Sequence, residues 1–91
     1  MADQVNTAAV EALKAANERM HHSMNIDWSG DPDRDFVCAM IPHHAGAIEM
    51  ARVAIEHCSD RELRRLAEKI IADQEKEIAD MRDWLSRHPG G

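Results

Sequence analysis

Apolar residues recur along this chain at helical spacing, and no stretch alternates at the spacing of a strand. The first periodic stretch runs over about residues 3–24, with Val5, Ala9, Ala12, Ala16 and Met20 on one side and Glu11, Lys14, Glu18 and Arg19 elsewhere. Its apolar face is mostly alanine, so it permits close approach but buries little. Asn25–Gly30 reads as turn chemistry. A second helix is predicted over about residues 32–57. It is announced by Asp31 as N-cap, Pro32 at the first helical position, and Asp33 and Asp35 where the helix dipole favours anions. Its stripe is Val37, Met40, Ile41, Ile48, Ala51 and Ile55. The third helix is predicted over about residues 60–87, opened by a Ser59–Glu62 capping box and closed by His88-Pro89-Gly90-Gly91. Its stripe includes Leu63, Leu66, Ile70, Ile78, Met81 and Leu85.

So short a connector between the second and third helices makes them an antiparallel hairpin. The expected fold is therefore all-α, one helical domain over residues 1–91 in which a long hairpin carries an N-terminal helix. Two long helices and an alanine-rich third cannot enclose a deep core alone. A homodimer or homotetramer is expected, its hairpins completing a four-helix bundle.

The chemistry lies where the stripes are interrupted. Pro42 sits inside the second helix, where it deprives the Cys38 carbonyl of an amide and is expected to kink or split the helix. Gly46 follows one turn later and weakens the helix again. His44 lies on the core stripe one turn after Met40, and His43 shares the adjacent edge with Met40, Ala47 and Met50. In a hairpin turning near Ser59, Gln74 falls opposite His44, and Glu77 opposite Ile41 and Met40. Burying unpaired polar groups costs on the order of 1–3 kcal/mol each, so these residues need partners. A Glu77–His44–Gln74 hydrogen-bond network fixing the register would supply them, and so would a metal site. The end of the first helix adds Met20, His21 and Met24, which a fold-back would bring towards Phe36, Val37 and Met40. Thioethers are neutral and soft and suit Cu(I), while imidazole suits either copper oxidation state.

Two long stretches complete the pattern. Asp33-x-Asp-Phe36-x-x-x-Met40-Ile-Pro-His-His44-x-Gly-Ala-Ile48 is followed by Leu63-x-x-Leu-Ala67 and Gln74-x-x-Glu-Ile78-x-x-Met81-x-x-Trp-Leu85. Together they resemble the bacterial family called domain of unknown function 305, over roughly residues 31–85. The resemblance implies a ferritin-like helical bundle, and some members of the family are periplasmic copper-binding proteins. By that likeness His43, His44, Met40 and Met50, with Met20, His21 and Met24 upstream, are the candidate ligands, and Gln74, Glu77 and Met81 line the same site.

Composition narrows the function further. The formal charge is −6, with 11 Lys and Arg against 17 Asp and Glu, so the basic footprint of a nucleic-acid binder is missing. No apolar run approaches the roughly 20 residues of a membrane span. Cys38 and Cys58 share one helix, about 30 Å apart, too far to bridge within a chain. The first residues form neither a basic nor an apolar leader region, so the chain as written is expected in the cytoplasm, with a mature periplasmic form as the alternative. No Ser/His/Asp or Cys/His arrangement and no glycine-rich phosphate loop supports a hydrolase or kinase. The expected function is sequestration or transfer of copper, as Cu(I), by a non-catalytic Met/His cluster. The alternatives are a dinuclear iron or manganese oxidase, for which Glu18-x-x-His21 gives one half-motif, and a structural oligomeric module without metal.

Overall fold

The computed structural model describes residues 7–89, all of them in helices or their connectors. Helix α1 spans Thr7–Ser23, α2 spans Pro32–His57 and α3 spans Arg61–Arg87. The predicted first residues of α1, Val5 among them, and the closing Gly90-Gly91 lie outside the described residues. None of the described helices is long and apolar enough to cross a membrane.

Asp31 caps α2 as expected, its side chain accepting from the Asp33 amide. The connector before it is tied down by Asp35, whose carboxylate accepts from the Ser29 amide at 2.9 Å, the Ser29 hydroxyl at 2.8 Å and the Gly30 amide at 2.9 Å. Gly30 sits at φ 90°, a conformation that side-chain-bearing residues rarely adopt, which is why glycine stands there. The hydrogen bonds, those from Ser29 foremost, hold the Asp35 carboxyl below the ordinary carboxylate range.

Two expectations need correction. Helix α2 is not split at Pro42 but runs through it as one element of 26 residues. Packing of α2 against α1 and α3 offsets the hydrogen bond the proline removes. Helix α3 is capped by Asp60, not Ser59: Asp60 Oδ2 accepts from the Leu63 amide at 2.9 Å. The helix therefore begins one residue late, and an ionised cap answers the dipole better than a hydroxyl. At the other end His88 stacks on Trp84 with ring centroids 4.1 Å apart, and its carbonyl accepts from Arg34, which ties the open end of the hairpin.

Helix α2 is the middle of the molecule. Helix α3 packs along it as the second arm of the hairpin, while α1 packs on α2 and not on α3. The result is a single layer of three helices, with extents of 58 × 23 × 14 Å. The radius of gyration, 16.0 Å, exceeds the roughly 12 Å of a compact domain of this length. The buried core is correspondingly light: Ala16 from α1, Val37, Ile48 and Ala51 from α2, Ala67 and Ile78 from α3.

Candidate metal site

Met40 and His44 stand one turn apart on α2, and Glu77 and Met81 one turn apart on α3. These four side chains, with Phe36 and Asp80, line one cavity of about 250 Å³ between the helices. At 8% exposure His44 is the buried polar residue of the described core. Its Nε2 lies 2.7 Å from Glu77 Oε1. An ionised carboxylate can only accept, so Nε2 carries the hydrogen and, in the neutral ring, Nδ1 keeps a lone pair. That Nδ1 is buried without a hydrogen-bond partner, and so is Oε1 of Gln74. Glu77 itself is 53% exposed at its side chain, so the bond is anchored on the buried His44 rather than on the carboxylate.

Of the expected Glu77–His44–Gln74 network the structure holds the His44–Glu77 bond, while Gln74 Oε1 is buried without a partner. The connector holds three residues, Cys58–Asp60, rather than the two expected. Gln74 remains half-buried one turn before Glu77.

The other candidate ligands lie elsewhere. Met20 packs on Gly46: a Cβ placed on that glycine would sit 2.5 Å from both Cγ and Sδ of Met20. Met20 faces a separate cavity, which Arg19, Ile41, Pro42 and Glu49 also line. The fold-back of α1 therefore meets α2 at Gly46, nearly two turns beyond the expected Phe36–Met40 stretch. His21 and Met24 are exposed near the end of α1, and His43 is exposed with its ring centroid 6.5 Å from that of His44. Met50 lines a third groove, with Leu13 and Leu66.

One chain therefore gathers Met40, His44, Glu77 and Met81, and does not gather Met20, His21, Met24, His43 or Met50 with them. Phe36 and Asp80 were missed as lining residues, although Phe36 stands one turn before Met40 and Asp80 three positions after Glu77. Among the described residues no three His, Cys, Asp or Glu side chains converge as a metal cage. The donors that accompany His44 and Glu77 are thioethers.

The family described as "Domain of unknown function (DUF305)" matches residues 33–90, a stretch that contains every residue lining this cavity and leaves out α1. A protein of Acanthamoeba polyphaga mimivirus, described as "Uncharacterized protein L153", is 36% identical over 53 residues. That stretch is 58% of this chain and 35% of the viral protein, so the chain matches about a third of its relative's length.

Proposed function

From the premise that the chain belongs to the DUF305 family, whose description assigns no activity, we propose that it binds copper as Cu(I) in metal homeostasis. The observation that carries this reading is the state of His44. A histidine that ligates a metal through one nitrogen almost always donates the other N–H to a carboxylate or carbonyl, which fixes the tautomer and the ring's orientation. His44 has its Nε2–H committed to Glu77 and its Nδ1 buried without a partner. Two thioethers, Met40 and Met81, line the same cavity.

This donor set fits a soft ion. His44, Met40 and Met81 would hold it, with Glu77 orienting the imidazole. Bound Cu(I) would supply a soft acceptor that neutral sulfur donors satisfy and harder ions do not. The role is sequestration or transfer rather than catalysis. A dinuclear iron or manganese centre would need Glu-x-x-His from two helices and two further glutamates. Glu18 and His21 lie on α1, which packs on α2 and does not reach α3, so one chain does not bring them to Glu77. The ferritin-like bundle that this reading assumes is completed by oligomerisation.

A second reading rests on the same 2.7 Å bond: His44 and Glu77 lock the hairpin register and hold no metal. Competition titration with a Cu(I) chelator under reducing conditions separates the two. Copper binding should be lost in His44→Ala, weakened in Met40→Leu/Met81→Leu, and retained in His43→Ala and Met20→Leu. Zinc displacing the copper, or thioether variants binding as tightly as the parent, would overturn the copper reading. A large fall in melting temperature of metal-free His44→Ala, without copper binding in the parent, would establish the register lock instead.

A further inference from the structure

The two broad faces of the helical layer differ in kind. At about 100° per residue, Cys38, Ala45, Glu49, Arg52 and Glu56 follow one another along one side of α2. This side carries the Arg19–Glu49 and Arg52–Glu75 ion pairs, which link α2 to its neighbours. The opposite side of α2 presents Phe36, Met40, Ala47, Met50, Ala54 and Cys58. There Leu13 of α1 and Leu63, Leu66 and Ile70 of α3 join Met50 and Cys58 in an open groove of about 410 Å³. The His44–Glu77 cavity lies on the same side, marked by Phe36 and Met40. Large apolar groups stand open across this face: Leu13 is 39% exposed, Leu63 and Leu66 51% each, and Phe36 63%.

A stable domain closes its apolar surface with a second layer, and this chain has one. Its accessible surface is 6802 Å², against roughly 5,400 Å² for a compact monomer of its 10.3 kDa mass. The surplus falls within the roughly 1,000–2,500 Å² that each member of an obligate dimer buries. The cover must be apolar and follow the face from the Leu63–Leu66 groove to Phe36. The matching face of an identical chain has that shape, and a two-fold axis makes one patch complementary to itself.

We propose that a second copy of this chain covers this face, apolar side against apolar side, about a two-fold axis lying between the two layers. The inference deepens the proposed oligomer by naming its surface, and it does not require the metal. It places the His44–Glu77 cavity and the exposed Phe36 inside the interface, so that the candidate metal site is closed by the partner. A membrane surface is the poorer occupant, because the chain carries a formal charge of −6 and Glu77 and Asp80 border the face.

Sedimentation equilibrium with chelator and reductant present tests the proposal apart from copper. The parent should have the mass of two chains, and Leu63→Glu/Leu66→Glu should fall to the 10.3 kDa of one while keeping its helical circular dichroism. A second measurement on the parent alone covers a variant that loses its helices. Cys58 lines the groove, whereas Cys38 lies about 160° round the helix from it. Alkylation of Cys58 should slow several-fold as concentration rises through the association range, while that of Cys38 stays constant. A parent of single-chain mass throughout, a folded variant that still dimerises, or equal protection of both cysteines would overturn the proposal. So would a monomeric parent that co-sediments with phosphatidylcholine vesicles, which would give the face to lipid. Failure of copper binding in the parent would leave each of these outcomes standing.

Discussion

His44 and Asp35 show how differently a polar side chain can be held in one helix. His44 is buried because it falls on the α2 stripe between Met40 and Ile48, and it is tolerated there because Glu77 reaches it. That much was legible: a histidine on an apolar stripe and a glutamate on the facing one announce each other. The orphaned Gln74 Oε1 was not, because facing positions on two helices say which residues are near and not which of their atoms pair. Asp35 is half-buried, and three hydrogen bonds from Ser29 and Gly30 depress its proton affinity in the folded chain. A carboxyl held lower when folded adds stability above its unfolded pKa of about 3.9 and loses it as pH falls through the folded value. Asp35→Asn should therefore be less stable than the parent at neutral pH, with the gap closing below about pH 4. Urea unfolding at pH 7 and pH 3 measures this, and a gap that widens in acid would contradict it.

Helices were the most legible level, because a stripe at period 3.6 depends on no other part of the chain. Their ends and faults were less so. Asp60 and Ser59 are both good caps, and which one opens α3 is settled by the hairpin around them. Pro42 carries a local cost that predicts a kink or a break, and with neighbours on both sides of α2 the helix is not broken. Gly46 could have been a weak point or a contact point, and the structure makes it a contact with Met20. Alanine there would gain up to about 1 kcal/mol of helix propensity. Its methyl would stand 2.5 Å from the middle of the Met20 side chain and 2.8 Å from its Cβ, so α1 must shift rather than a flexible tip. Overpacking of this kind costs about 1–3 kcal/mol, and the net effect of Gly46→Ala should be destabilising. Met20→Ala should relieve part of it, removing Cγ and Sδ while keeping Cβ: the double variant should be more stable than the sum of the single losses, by about 0.5 kcal/mol or more in a thermal double-mutant cycle. Additive losses would mean that α1 does not bear on Gly46.

At the scale of the molecule, the alanine-rich face of α1 led to the expectation that one chain encloses no deep core, and the core of the described residues is light. What periodicity could not say is which side of α2 would take α1, because an alanine face can lie against almost anything. That choice fixes the layer, splits Met20 from Met40 and His44, and leaves one broad face apolar. Association and metal then act on stability through different terms. A partner that binds only the folded chain makes the melting temperature rise with protein concentration, and a ligand at 100 times its Kd adds about 2.7 kcal/mol. Metal-free parent protein should therefore melt higher as it is concentrated, and Leu63→Glu/Leu66→Glu should not. Cu(I) should still raise the melting temperature of that variant, because Met40, His44 and Met81 come from one chain, and should leave His44→Ala unmoved. Calorimetry of the three proteins at two concentrations, with and without Cu(I), reads both terms. If the leucine variant loses its response to copper together with its dimer, the partner supplies a ligand, and exposed Met24 and His21 of the second chain become the residues to substitute next.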